Sequence, residues 1–439
     1  MSLLAQEKNS SKGVIQLIRD SKDGQTQIEV RNETKISKWS SLNQAFAEIF
    51  LPRGYPDSVC ADYLSYQIWD SLQAYGSSIT GTLATHNVLK GMGVGDKSAS
   101  VMSATLTWLL KDGTGMVGRI VFTYFKGSNL DVDCKKWRLF ADIINDIAIG
   151  LDMICPFFPG YLLILQCSSG FLKSLVGTIG GATRAALTQH QARNNNLADV
   201  SAKDASQETL VNLAALLTSL AIVPLIASSD LIVWTLFVIL TMTHIYCNYR
   251  AVRSVNMEVF NPARFTSFIE EYIFKEKVGA IDEINQKESI LFWSTHDFQD
   301  QIKSGVPLSE HYISDGNLTD FLEYHSTKDY ILSFDFKRSN SILISFIENQ
   351  DSVRNKLKAY FHANLILFYL FKYKSQAEKL FNFSENISNI TTVSETEKIV
   401  NQKFEKMLTD AIGKGWKLDN FIFLENGWRI TQLYNKKFD

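Results

Sequence analysis

The sequence predicts a mainly α-helical protein: a glycine-rich helical bundle embedded in a membrane, with a smaller α+β domain at its C-terminus. Three observations carry that prediction. Between Thr209 and Tyr249 the chain holds one formal charge, Asp230, set between two apolar runs. From about Ser71 to Tyr249 the sequence is apolar and rich in glycine, whereas ordinary charged sequence lies on both sides. Beyond Asn261-Pro262 the composition becomes that of a soluble domain, with helical segments and a hairpin near the end. The expected divisions are a polar N-terminal region with a β-hairpin, residues 1–50, a helical core, 51–260, and an α+β domain, 261–439.

Composition narrows the function classes. Forty-four basic against 46 acidic residues leave a net charge of -2, so no global field favours nucleic acid, and none is expected as a partner. The five cysteines are odd in number and lack a CxxC spacing, which reads as reduced thiols. The seven histidines are scattered without ligand spacing, so no metal site is expected. The opening MSLLAQEKNSSKG has no apolar core of a secretory signal, and membrane insertion is expected through internal segments.

In chain order, Val14–Ile18 and Gln27–Arg31 read as strands around the turn Asp20–Gly24. The prolines and glycine of Leu51-Pro-Arg-Gly-Tyr-Pro-Asp-Ser-Val59 exclude regular structure, and Asp57 or Ser58 then caps a helix to about Tyr75. Its stripe of Asp62, Tyr66, Trp69, Asp70 and Gln73 fits a polar interface or a ligand face. Ser71–Leu89 is uncharged for 19 residues, though rich in Ser, Thr and Gly, and spans a membrane only inside a bundle. A glycine-rich break, 90–97, precedes a helix over Ser98–Leu110.

Gly113, Gly115 and Gly118 form a literal GxGxxG, with Asp133 20 residues after Gly113. A dinucleotide fingerprint needs a strand running into the first glycine, but Lys111-Asp112 and a helical segment intervene. The glycines are therefore read as points of close helix packing. Asp142 and Asp146, four apart on one helix face, bind a cation or share a proton inside a membrane, or are merely solvated in a soluble helix. Met153–Leu172 is uncharged for 20 residues but broken by Pro156 and Pro159, and Gly177, Gly181 and Ala185 form a small-residue ridge suited to helix contact.

The following stretch, Gln189–Asp204, is dense in hydrogen-bonding side chains. Arg184, Arg193 and Lys203 suit a phosphate or carboxylate, with Asn194–Asn196 adding amides, unless the stretch is a solvated connection. Thr209–Ser229 and Leu231–Tyr249 are each long enough to cross a bilayer, with a turn at 228–230. Arg250 and Arg253 would hold the far end on the cytoplasmic side, and a pair of buried helices in a soluble core is the alternative. In the tail, Phe265–Glu288, Lys356–Leu380 and Phe404–Ile412 read as helices. Phe421–Leu424 and Trp428–Thr431 read as a hairpin on an Asn-Gly turn. The sequons at Asn382, Asn386 and Asn389 are taken as an unglycosylated cytoplasmic loop.

The segments Leu51-Pro-Arg-Gly-Tyr-Pro-Asp-Ser-Val59, Asp62-Tyr-Leu-Ser-Tyr-Gln-Ile-Trp-Asp70, Gly93-Val-Gly-Asp96, Trp108-Leu-Leu-Lys-Asp-Gly-Thr-Gly115, Ala182-Thr-Arg-Ala185 and Asn196-Leu-Ala-Asp199 resemble, in the same order, the root UV-B sensitive family. The resemblance covers about Trp39 to Arg264, with looser matches at Gly415-Trp416 and Gly427-Trp428-Arg429. It implies a link to vitamin B6 homeostasis, membrane residence and action alongside partner proteins. It carries over no catalytic residue.

The expected function is an integral protein of an intracellular membrane that binds or transports a small anionic metabolite, the resemblance choosing a B6 vitamer. The expected ligand-binding residues are Lys111, Asp112 and Arg119 at the glycine break, Asp142 and Asp146, and Arg184, Arg193, Asn194, Asp199 and Lys203. No cofactor is expected, pyridoxal phosphate or a related vitamer being the ligand rather than a prosthetic group. Membrane lipid and a family paralogue or second copy are the expected partners. The alternative is a membrane-tethered scaffold that contacts a partner through the Asp62–Tyr75 helix and the C-terminal domain. Catalysis with pyridoxal phosphate would need a lysine beside a phosphate cup, and no such pairing is recognised.

Overall fold

The computed structural model describes residues 2–9, 13–22, 25–32, 38–94, 101–291, 301–311, 318–335, 341–369, 389–419 and 421–432. The glycine and charges at 95–97 and the sequons at Asn382 and Asn386 lie outside them, as does the far half of the Lys356–Leu380 helix. The chain forms two compact units, one from Met1–Ala99, Ile149–Leu162 and Arg184–Ala251, the other from Ser100–Ala148, Leu163–Thr183 and Val252–Asp439.

The first unit begins with a three-stranded antiparallel sheet, β1 (Ser2–Asn9), β2 (Gly13–Lys22) and β3 (Gln25–Asn32), in which Leu17 faces Val30 across the expected hairpin. The strand β1 is an addition, paired to the other edge of β2. Helix α1 (Lys38–Phe50) follows, then α2 (Tyr63–Gly91), which continues through the uncharged Ser/Thr/Gly stretch. It does so because Thr80, Thr82 and Thr85 donate their hydroxyls to the carbonyls of Ser77, Ser78 and Gly81, so the helix satisfies its own polar side chains. Helices α6 (Leu197–Ile226) and α7 (Asp230–Ser254) are the two apolar runs, joined by the expected turn. Lys90 reaches Asp230 at 3.1 Å and so pairs the single charge between the runs.

Around small apolar cores at Leu83, Met153 and Phe237 and at Val59 and Tyr63, this unit also exposes many apolar side chains and buries polar ones. Leu64, Ile68 and Leu72 on α2, Leu213, Leu216 and Leu220 on α6, and Ile232, Val238 and Met242 on α7 are exposed. Gln67, Thr80, Asn87, Asp204, Ser219, His244 and Asn248 are buried. The aromatic stripe of α2 is used internally: Tyr66 is buried, and Trp69 lies edge-on to Tyr246 at 6.0 Å with the Arg250 guanidinium 4.7 Å from its ring.

In the second unit, α3 (Val101–Lys126) holds the whole GxGxxG within a continuous helix, so no strand feeds it. Two of its glycines, Gly115 and Gly118, pack as expected, whereas a Cβ on Gly113 would meet nothing within 4 Å among the described residues. A Cβ on Gly115 would lie 3.2 Å from the Gly170 carbonyl oxygen, and one on Gly170 2.6 Å from the Lys111 side chain. The ridge Gly177, Gly181 and Ala185 departs from its expected role, because a Cβ on Gly181 would meet nothing within 4 Å among the described residues and one on Gly177 would meet the Arg119 guanidinium at 3.6 Å. The helices α4 (Cys134–Met153) and α5 (Leu162–Gln191) flank two short 3-10 turns at Pro156 and Pro159.

The expected single helix over Phe265–Glu288 is two, α8 (Pro262–Phe274) and α9 (Ile281–Lys287). Asn261 caps the first by accepting from the Arg264 amide at 2.9 Å, and Glu276 takes a positive φ after its end. Then come β4 (Ile302–Ser304), α10 (Leu318–His325), β5 (Tyr330–Asp335), β6 (Ser341–Ile347), α11 (Val353–Leu367), α12 (Asn389–Gly413) and β7 (Arg429–Ile430). The strand β6 pairs in parallel with β4 and β7 and antiparallel with β5. The expected hairpin at the end is absent, because the Asn426 and Trp428 amides donate to Ser304 and Gly305 instead. Phe421 and Phe423 meanwhile pack on Tyr360 and Phe265 within an apolar core that includes Phe260, Phe268, Phe361, Phe404 and Trp416.

Among the described residues, three helical stretches are long and apolar enough to cross a membrane: Pro159–Gln191, Leu197–Ile226 and Asp230–Ser254. In the most apolar window of the second only 11% of residues are buried. The protein itself therefore leaves most of that surface uncovered.

Candidate functional site

In the first unit α7 sets Thr241, His244 and Asn248 three and four residues apart, on one face of a helix of membrane length. His244 and Asn248 are each 1% exposed. Gly76 of α2 allows the approach on this side, since a Cβ there would lie 3.6 Å from the Leu240 carbonyl oxygen and 4.0 Å from His244 Cβ. Neither amide atom of Asn248 has a hydrogen-bond partner among the described residues, and nor does the Thr241 hydroxyl. Burying such groups unpaired costs roughly 1–3 kcal/mol each, so a water or a ligand is the ordinary explanation. These residues were missed as a site, yet their spacing within an apolar run was the available signal.

The predicted cations of this unit are already engaged. Arg184 near the end of α5 bonds Asp204 at 2.5 Å and Glu208 at 2.6 Å on α6, and Asp204 also accepts from Gln67 at 3.1 Å. Lys203 donates to the Glu48 carbonyl, and Asp199 accepts from the Arg53 amide at 2.7 Å. The Asn194 amide bonds the Asn196 side chain at 3.1 Å, and the Arg193 amide bonds the Ser58 carbonyl at 3.1 Å. The stretch therefore ties α5 and α6 to the segment before α2.

That tie assembles a cluster invisible in the linear sequence. His190 Nε2 lies 3.1 Å from Asp62 Oδ2, and donor atoms of Cys60, Asp62 and His190 all fall within 4.8 Å of one another. Burial pushes the Cys60 thiol up, and the neighbouring Asp62 carboxylate adds to the rise.

In the second unit the Lys111 amine donates to Gln166 Oε1 at 2.8 Å and lies 4.8 Å from the Trp108 ring, in the α3–α5 contact that Gly115 and Gly170 permit. Asp112 and Arg119 are exposed, so the three residues of the expected constellation do not converge on one point. Asp142 faces Arg138 at 3.8 Å, whereas Asp146 is buried. Of the predicted residues, those from Arg184 onward belong to one unit and the rest to the other.

Two further polar clusters lie in the second unit. Glu288, 2% exposed, faces Arg264 at 2.6 Å and Lys135 at 3.0 Å, and Lys135 also reaches Asn285 at 2.6 Å. Burial alone would raise Glu288, but the two cations overcome it and hold the carboxyl at about 2. The second is a cavity of about 190 Å³ lined by Lys328, Lys358, Asp329, Glu397, His362 and Asn401. Each lysine has its own carboxylate, Lys328 bonding Glu397 at 2.8 Å and Lys358 facing Asp329 at 3.7 Å. His362 Nε2 lies 3.1 Å from the Val393 carbonyl, which can only accept, so Nδ1 is the acceptor for the Tyr330 hydroxyl at 2.9 Å. Burial pushes this imidazole down to about 4.

Fold and sites together define a mainly helical protein with, among the described residues, three helices long and apolar enough to cross a membrane, and a sheet-containing C-terminal region. Residues 36–276 match the vitamin B6 photo-protection and homoeostasis domain, and 277–432 match the C-terminal region of root UVB sensitive protein. The chain belongs to the root UVB sensitive family. It is similar to "Protein root UVB sensitive 3" of Arabidopsis thaliana, 32% identical over 419 residues, or 91% of this chain and 89% of that protein. "RUS family member 1" of Dictyostelium discoideum is 49% identical over 263 residues, 58% of this chain and 50% of its relative, so the matched part spans half of that protein. "Protein root UVB sensitive 2, chloroplastic" of Arabidopsis thaliana is 25% identical over 384 residues, covering 86% and 83% of the two chains. No solved structure matches the chain.

Proposed function

We propose that this protein resides in an intracellular membrane and binds or transports a small anionic metabolite, with a vitamin B6 vitamer as the ligand and no catalytic step. The observation that carries the reading is the polar face of α7, where Asn248 is 1% exposed and its amide has no partner among the described residues. In a membrane-length helix, inward polar groups of this kind mark a ligand path, because they are costly to keep otherwise. The Lys111–Gln166 pair supports a second polar point within glycine-bearing helices and supplies positive charge. The matched domain's description supplies the vitamer.

Asn248→Leu separates a path from a structural residue. An unpaired buried amide replaced by an apolar isostere is neutral or stabilising for a fold. The expected result in reconstituted vesicles is unchanged or raised thermal stability with uptake of labelled pyridoxal phosphate reduced about tenfold or more. Unchanged uptake in a stable variant would count against the reading.

A scaffold that contacts lipid and a paralogue or second copy is the second reading, favoured by α3. Met116, Ile120 and Tyr124, on one side of that helix, are 68%, 71% and 84% exposed. Replacing all three with serine would abolish copurification of a second, differently tagged copy under this reading and leave uptake intact.

A further inference from the structure

The strongest unassigned cluster is Cys60, Asp62 and His190. It is built rather than accidental. The Cys60 amide donates to the Gln191 carbonyl at 3.0 Å and the Arg193 amide to the Ser58 carbonyl at 3.1 Å, making a short antiparallel bridge of Val59 to Ala192. The Asn196 side chain also donates to the Ser58 carbonyl at 3.1 Å. This bridge clamps the segment entering α2 against the last turn of α5, and so fixes three side chains drawn from positions 128 residues apart. Asp62 stands at the N-cap of α2, yet its carboxylate makes no capping bond and turns to His190 instead.

We propose that Cys60, Asp62 and His190 form a binding site for a zinc-class divalent cation, with a fourth coordination position left open. Thiolate, imidazole and carboxylate together suit zinc, and three protein ligands with an open position are the pattern of sites that bind a further ligand. Donor atoms within 4.8 Å of one another need to draw in by only about 1 Å to reach the edges of a zinc tetrahedron. A thiol-nucleophile triad fits less well. There the imidazole stands between thiol and carboxylate, whereas here Asp62 hydrogen-bonds both the Cys60 thiol and His190. Binding replaces the thiol proton by the metal and releases that proton to solvent. The cation then takes the place of the shared carboxylate as the centre of the cluster. This inference stands apart from the transport reading, since a metal in this place serves stability or ligand capture equally.

Cobalt is the probe. Full-length protein in detergent, stripped with chelator, is titrated with Co²⁺ and then with Zn²⁺. The expected result is one cobalt per chain, with a thiolate-to-cobalt charge-transfer band and intense tetrahedral visible bands that zinc abolishes. Cys60→Ser should remove the charge-transfer band, and His190→Ala should weaken binding about tenfold or more. Cys167→Ser, a thiol elsewhere in the chain, should leave both intact. A wild-type protein that takes up no stoichiometric cobalt, or a folded Cys60→Ser that keeps the charge-transfer band, overturns the proposal. The wild-type titration decides even where a variant fails to fold.

Discussion

Glu288 lies between two buried cations, Lys135 at 3.0 Å and Arg264 at 2.6 Å. Burial pushes the Lys135 amine below its ordinary value, against the pull of Glu288. Glu288→Gln leaves both cations uncompensated, and the expected loss is about 3–5 kcal/mol, read by urea unfolding through tryptophan fluorescence. The pH dependence has a definite sign. A carboxyl held at about 2 when folded contributes stability that is present above its unfolded value of 4.5 and is lost as pH falls from 4.5 towards 2. The buried histidines act at milder pH. Burial pushes His362 down to about 4 and His311 to about 3, so the unfolded chain takes up their protons first. Stability present above 6.5 is then lost as pH falls below it, by roughly 2 kcal/mol for each histidine at pH 5. Melting curves between pH 7 and 4 should show this early loss before the Glu288 window opens. A flat profile over that range would show that these imidazoles do not stay neutral in the fold.

At the level of helices, the α3–α5 contact depends on which glycine lies at the seam. A Cβ on Gly170 would lie 2.9 Å from the Lys111 carbonyl oxygen, which is backbone and cannot rotate away. Gly170→Ala should therefore part the helices and cost about 1–3 kcal/mol. Gly181→Ala meets open space, and the same substitution should gain roughly 0.5–1 kcal/mol from helix propensity. Thermal melts of the two variants should thus move in opposite directions, and a gain in both would mean that propensity alone governs both sites. The GxGxxG spacing announced close packing legibly at Gly115 and Gly118 though not at Gly113, because the charges before Gly113 excluded a strand. The Gly177 ridge looked equally good in sequence, but spacing does not say whether a neighbour is present. The final hairpin failed for a related reason: the Asn-Gly turn signal is local, whereas Phe421 and Phe423 follow a core assembled from residues more than 60 positions away. His190 and Asp62 lie 128 residues apart, and only the folded backbone bridge brings them together.

For the whole molecule, the distribution of polarity decides which solvent the helices meet. The two apolar helices were legible from missing charge alone, because a single aspartate in 41 residues leaves little else to read. A soluble reading of the same helices would require their leucines to be covered. Leu216 is instead 51% exposed and Val238 48%, while His244 and Asn248 are turned inward. Exposed apolar surface on this scale needs either lipid or a partner. An arginine placed at mid-helix on a lipid-facing position costs roughly 2.5–3.5 kcal/mol by insertion scales, and two such changes act on adjacent spans. In a soluble protein the same arginines would sit in water at almost no cost. Membranes carrying the wild type and a Leu216→Arg, Val238→Arg double variant are therefore washed with alkaline carbonate. Retention of the wild type in the pellet, with release or degradation of the variant, is the expected outcome. Release of both proteins would place the exposed leucines against a protein partner, and the scaffold would then replace the transporter as the reading to pursue.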